Sequence, residues 1–195
     1  TVDLINQAIK DQGVKCPENA IQIIRESTIA RTGELMRAVD VVLATGGMGV
    51  VKEAYSSGKP SFGVGAGNVQ VIVDEGVDYA DATAKIIASR KFDNGIICSG
   101  EQTIIAPRKD YDQVMEAAIA NGAFYVDDEA VIDKFRNVIF VNGGINKDVV
   151  GQSVQIIAKL AGVDVPTDRK VIVLKASGIG SADVLCKEKM CPVMA

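Results

Sequence analysis

Apolar residues recur along the chain in two rhythms, one helical and one of short continuous runs, and their alternation is the first structural signal. Val2, Leu4, Ile5, Ala8 and Ile9 fall at helical spacing, with Gly13 placed to end the helix over residues 2–10. Residues 20–24 form a short apolar run, and 28–38 repeat the helical spacing with Ile29, Leu35 and Met36 directed inward. A run over 39–44, interrupted only by Asp40, reads as an apolar strand. Further helices are expected over 50–56, over 79–90 with Ala80, Ala84, Ile87 and Ala88 inward, and over 111–120, 130–135 and 147–160. Strands are expected over 69–73, 103–106, 124–126 and 170–174, and 138–141 fits a strand or a helix end. The acidic run 127–129 suits the dipole at a helix start. Helix alternating with apolar strand predicts an α/β fold with a parallel sheet. Lys59-Pro60 and the glycine-rich stretch 61–68 read as a hinge between two domains, 1–66 and 67–195.

Two punctuation points carry candidate chemistry. At Thr45-Gly46-Gly47-Met48-Gly49 a strand ends in a glycine turn and a helix opens straight after it, so free N–H groups face the carboxyl end of a strand, where nucleotides bind in open α/β sheets. The pattern is not G-x-G-x-x-G, and a tight packing turn fits the spacing equally. The second point is Cys98, after the turn signal Asp93-Asn94-Gly95 and before Ser99-Gly100 and a strand. A thiol on a turn held by strand packing is a candidate nucleophile, since nearby N–H groups or cations favour the reactive thiolate. Spacing alone leaves Cys98 open between that role and a small buried apolar residue.

Composition narrows the chemistry. The chain has 195 residues, 48% hydrophobic and 24% charged, enough to bury a core. A net charge of -4 without a basic cluster argues against nucleic acid as the partner. No apolar run approaches a membrane span and no signal-peptide pattern opens the chain, so a cytoplasmic location is expected. Four cysteines at 16, 98, 186 and 191 and no histidine leave no zinc spacing, and no metal site is expected. The missing histidine also removes Ser-His and Cys-His catalysis, leaving a thiol activated by its surroundings as the main option for covalent chemistry. The chain begins at Thr1 without Met, within the first turn of a helix, so a central fragment of a longer protein is expected.

Phe-Asp-Asn-Gly-Ile-Ile-Cys-Ser-Gly-Glu-Gln at 92–102, Ala-Thr-Gly-Gly at 44–47, Ala-Tyr-Ser-Ser-Gly-Lys-Pro at 54–60 and Gly-Val-Gly-Ala-Gly-Asn at 63–68 together resemble the CoA-acylating aldehyde dehydrogenases. Within that family, 153–158 and 183–193 most resemble the succinate-semialdehyde branch. The resemblance covers essentially the whole chain. It implies part of a Rossmann-like nucleotide-binding domain followed by part of an α/β catalytic domain. By the resemblance Cys98 is the catalytic thiol; Thr45, Gly46, Gly47 and Val50 match positions beneath the nicotinamide half of NAD or NADP, and Gly65 is expected among the cofactor-binding residues. Glu188, from Glu-Lys-Met-Cys-Pro-Val, matches the glutamate that bonds the nicotinamide ribose. From composition alone Glu188 would be a surface charge.

The implied reaction interconverts an aldehyde, CoA and NAD(P)+ with acyl-CoA and NAD(P)H, with a small-molecule aldehyde or acyl-CoA as partner and a homo-oligomer as the assembly. Where hydrolytic relatives carry a glutamate that activates water, this chain aligns Val64, which argues against a hydrolytic enzyme. Sulfoacetaldehyde or a short unbranched aldehyde stands as an alternative substrate, and an inactive nucleotide-binding fragment as an alternative reading of the 195 residues. The family's oxyanion asparagine and adenine-ribose contacts have no match in the chain, so the isolated chain is expected to have little activity.

Overall fold

Helix and strand alternate from residue 29 onward, as the apolar rhythm predicts. The computed structural model describes residues 1–17 and 20–195, in two units, 1–65 and 66–195.

The first unit holds α1 (Val2–Asp11), α2 (Ile29–Ala38), β1 (Val42–Thr45), α3 (Met48–Ser56) and β2 (Ser61–Val64). Thr28 caps α2, its hydroxyl accepting the Arg31 N–H at 3.2 Å. β1 and β2 pair in parallel, with Val42 opposite Ser61 and Thr45 opposite Val64. The buried core is small, comprising Met36, Val42, Ala44 and Ala54, and α1 buries no residue. Residues 61–64, expected as part of a hinge, are a strand. Here α3 supplies what the glycine-rich sequence lacks: the Ser61 hydroxyl donates to the Ala54 carbonyl at 2.8 Å, and the Tyr55 hydroxyl accepts the Gly63 N–H at 3.1 Å.

The second unit runs β3 (Val69–Ile72), α4 (Tyr79–Lys91), β4 (Glu101–Ile105), α5 (Tyr111–Ala120), β5 (Ala123–Val126), α6 (Glu129–Ile139), the antiparallel pair β6 (Phe140–Val141) and β7 (Gly144–Ile145), then α7 (Val154–Ala161), β8 (Val171–Leu174) and β9 (Val193–Met194). β3 pairs with β4, and β8 lies between β5 and β9, all in parallel. The Ala195 N–H donates to the Gln102 carbonyl at 3.0 Å and the Ile104 N–H to the Ala195 carbonyl at 2.8 Å. These two bonds join the pieces into one parallel run, β5-β8-β9-β4-β3. Side chains alternate across it. Ile172, Leu174 and Val193 pack with α6 and α7, whereas Val171, Val173 and Met194 pack with α4 and α5.

Three helical expectations are corrected. The stretch 147–160 is broken: Gly151 takes φ +68°, and α7 starts only after Ser153, whose hydroxyl accepts the Ile156 N–H. The buried stripe of α4 is Thr83, Ile86, Ile87 and Arg90, rotated from the alanine face read in the sequence. In α2 only Gly33 and Met36 are buried, and Ile29 and Leu35, expected inward, are exposed. The stretch 138–141, read as a strand or a helix end, is both, since α6 runs to Ile139 and β6 follows. Among the described residues no helix is long and apolar enough to cross a membrane.

Candidate functional site

In the first unit the cofactor candidates gather around the end of β1. The Gly46 N–H donates to the Val64 carbonyl at 3.0 Å and the Val50 N–H to the Gly47 carbonyl at 3.0 Å. A methyl placed on Gly65 would lie 3.2 Å from the Met48 sulfur. Thr45, Gly46, Gly47, Val50 and Gly65 therefore belong to one cluster, with Val64 beside Thr45 in the register. No side chain caps α3, and a methyl on Gly47 or Gly49 would meet nothing within 4 Å. The turn is open to a ligand at a helix start, where backbone N–H groups favour an anion.

In the second unit Cys98 is exposed and free on a turn closed by the Gly100 N–H donating to the Ile97 carbonyl at 3.1 Å. Two features hold this turn. Asp93 and Asn94 take left-handed backbone at φ 46° and 50°, followed by Gly95 at 68°. A methyl on Gly95 would lie 2.6 Å from the Cys191 carbonyl oxygen, so the chain before Cys98 runs against the chain before β9 with no room for a side chain. At Gly67 the constraint is tighter: a methyl would lie 2.2 Å from the Cys98 carbonyl oxygen.

Gly67 also brings in Glu188. Its N–H lies near enough to the half-buried Glu188 carboxylate to favour the charged form. Burial pushes the Glu188 pKa up, opposed by that N–H and by the charge of Arg90. Cys98 and Glu188, 90 residues apart in sequence by their numbers, thus sit on either side of one glycine. Gly67 lies within the glycine-rich family motif at 63–68. Its signal is only visible as geometry, because any glycine-rich run would look alike.

Two buried cations were not read from the sequence. Lys189 is fully buried, its N–H donating to the Gln102 side-chain oxygen at 3.0 Å and its ammonium donating to the Gln102 and Lys187 carbonyls, each at 3.1 Å. Burial, with Arg90 nearby, pushes the Lys189 pKa down to about 7. Arg90 is also fully buried and donates to the Cys191 carbonyl. The charged residues flanking Cys98 and Glu188 in sequence were the available signal, and charge is normally read as solvated surface.

A cavity of about 690 Å³ is lined by Gln70, Thr103, Arg108, Tyr111, Lys175 and Ala195 among others, and by neither Cys98 nor Glu188. Among the described residues no group of three or more His, Cys, Asp or Glu side chains could hold a metal ion.

A parallel α/β sheet with a cysteine turn entering one strand and a glutamate-bearing segment entering its neighbour matches the acylating aldehyde dehydrogenases in fold. An acetylating aldehyde dehydrogenase from Geobacillus thermoglucosidasius superposes with a TM-score of 0.91 at 37% identity, over 99% of this chain and 42% of that one. A Rhodopseudomonas palustris propionaldehyde dehydrogenase with bound CoA and an acylated cysteine superposes at 0.87 with 30% identity, over 98% and 43%. In sequence the chain is 58% identical over 194 residues to the succinate-semialdehyde dehydrogenase (acetylating) of Clostridium kluyveri, covering all of this chain and 42% of that protein. The chain thus spans less than half the length of the relatives it matches. No family model matches it.

Proposed function

We propose that the chain carries the thiol and the nucleotide turn of a CoA-acylating aldehyde dehydrogenase acting on succinate semialdehyde, with CoA as co-substrate and NAD or NADP as hydride acceptor. The observation that carries this reading is Cys98, an exposed free thiol on a turn fixed from two sides by Gly67 and Gly95. Fixed backbone around an accessible thiol is what nucleophilic catalysis needs. The likeness to an acetylating succinate-semialdehyde dehydrogenase favours this substrate over sulfoacetaldehyde.

The Cys98 thiolate adds to the aldehyde carbon, and the resulting thiohemiacetal oxyanion is held by backbone N–H groups. The nicotinamide, when bound, accepts the hydride whose loss turns the thiohemiacetal into a thioester. The CoA thiol, giving its proton to solvent, then attacks the thioester carbonyl and expels the Cys98 thiolate. Thr45, Gly46, Gly47, Val50 and Gly65 would hold the nucleotide, and Glu188 would accept hydrogen bonds from its ribose hydroxyls. Val64 supplies no base for water, so the thioester is left for the CoA thiol. The same reading takes in a cytoplasmic homo-oligomer.

The second half-reaction runs backward without any nucleotide, which makes it the test. Succinyl-CoA incubated with the chain should place a succinyl group on Cys98 with release of free CoA, seen by mass spectrometry of the intact chain and its peptides. Limiting iodoacetamide should likewise modify Cys98 ahead of Cys16, Cys186 and Cys191. Acylation of another cysteine first, or an equal yield in Cys98→Ala, would overturn the assignment.

A further inference from the structure

We propose that Arg90 is a positioning residue: from the last turn of α4 it ties the segment carrying Glu188 to the back of the Cys98 turn and supplies the positive charge that Glu188 faces. This rests on reading Cys98 and Glu188 as members of one site.

The placement is unusual for an arginine. Arg90 follows Thr83, Ile86 and Ile87 in the buried stripe of α4, a position where the helical pattern calls for an apolar side chain, and it is fully buried. A buried guanidinium ordinarily finds a carboxylate and uses its donors fully. Here Nη2 donates to the Cys191 carbonyl, while Nε and Nη1 are buried with no hydrogen-bond partner. Nη1 lies 3.4 Å from where a Gly100 methyl would stand, which places it directly behind the turn that Gly100 closes. One side chain therefore bonds the backbone at Cys191, three residues beyond Glu188, and occupies the space beside Gly100, two beyond Cys98.

The charges around Arg90 give it a direction. Glu101 faces it from β4, Glu188 and the Cys191 thiol face it from the segment entering β9, and the Lys189 ammonium lies close enough to be lowered by it. Burial pushes the Arg90 pKa down, opposed first by Cys191 and then by the two carboxylates. Glu101 has a buried carboxylate oxygen without a hydrogen bond, and both Glu101 and Glu188 act on the guanidinium through their charge, not through a hydrogen bond. An acceptor of ribose hydroxyls works as a carboxylate, and a half-buried glutamate needs a fixed cation to remain one. Loss of Arg90 would free the Glu188 segment from the Cys98 turn and leave Glu188 easier to protonate.

The test follows the Glu188 carboxylate by NMR in the 13C-glutamate-labelled chain, its signal assigned by its disappearance in Glu188→Gln. In Arg90→Met the Glu188 midpoint should rise by about one pH unit or more, and Arg90→Lys should restore it. A purely structural role would leave the midpoint in place, and an unmoved midpoint in a cooperatively folding Arg90→Met would overturn the proposal. Should Arg90→Met fail to fold, Glu101→Gln decides through the opposite sign. Removing the competing carboxylate should lower the Glu188 midpoint, and no downward movement would overturn the assignment. Iodoacetamide labelling of the unsubstituted chain separates this result from the proposed function: preferential labelling of Cys98 with no response of Glu188 to Arg90 removes only the positioning role. A Glu188 response without that preference removes only the nucleophile.

Discussion

The two units are built from the same kinds of element and differ in how they bury them. In the second unit every strand face of β8 is covered: Val171 through Leu174 are all at or below 2% exposure, with α4 and α5 on one side and α6 and α7 on the other. In the first unit the buried apolar cluster is Met36, Val42, Ala44 and Ala54, while Leu4, Ile29, Leu43, Met48 and Phe62 are exposed. Parallel strands draw their stability from helices packed on both faces, so a parallel pair alone defines a path for the backbone without a core to match. The contrast extends to the candidate chemistry. The thiol turn is pinned by a dense interior, whereas the nucleotide turn at residues 45–50 depends on backbone hydrogen bonds and a few side chains.

The largest effects should fall wholly on one side of that contrast. Phe135, fully buried, fills the core beside α7, and Phe135→Ala should cost about 3–5 kcal/mol of stability. Ile29, at 92% exposure, should change stability by less than about 0.5 kcal/mol when replaced by alanine. Urea unfolding of the two variants measures both, and equal losses would break the comparison.

A polar interior contact of the second unit should come next. Asp183 is 5% exposed; one carboxylate oxygen accepts the Leu185 N–H at 3.0 Å, and the other accepts the Ser177 N–H at 3.0 Å and faces Arg136 at 3.4 Å. Asp183→Ala strands two N–H groups and removes one of the three carboxylates that the Arg136 guanidinium faces, Glu129 and Asp133 being the others, and should lower stability by about 2 kcal/mol or more. A loss near zero in urea unfolding would show that these donors find other partners.

The smallest effect concerns pH and belongs to Lys189. Its folded pKa of about 7 lies below the ordinary 10.5, so the unfolded chain binds more protons between these values. Its contribution is therefore fully present above the ordinary value and is lost as pH falls toward 7. Cys191 works in the opposite sense: burial pushes its pKa up to about 12 from 9.0, so its contribution is present below 9.0 and is lost as pH rises toward 12. From about pH 7 to 9 Lys189 acts without that opposition, and stability should rise with pH by at most about 1.4 kcal/mol per unit. Thermal unfolding of the parent and of Lys189→Met across this window checks the sign; a slope unchanged by the substitution would assign it to another group.

Much of the fold was legible because it is written in apolar spacing. The helix over 111–120 appears with the bounds read for it, and the strands over 69–73, 103–106, 124–126 and 170–174 shift by only one or two residues at an end. What spacing could not show is tertiary partnership. The strand at 61–64 depends on Tyr55 and Ala54 of the preceding helix, and the stripe of α4 contains an arginine that no hydrophobic pattern would place inside. The site divides the same way. Cys98 and Glu188 were singled out through motifs, yet Gly67, Arg90 and Lys189 join them only through contacts spanning much of the chain.

The strand order β5-β8-β9-β4-β3 also has a consequence in time. β9, which follows these other strands in sequence, lies between β8 and β4, so the hairpin-free run cannot close by neighbours zipping in sequence. Until residues 193–195 are available, β3 with β4 and β5 with β8 are separate pairs, each with an unpaired edge. Closing the gap joins Gln102 to Ala195, a long loop whose entropy must be spent before the contact rewards it. Folding of this unit should therefore wait on its final strand, and a growing chain would carry two open sheet edges until that strand arrives.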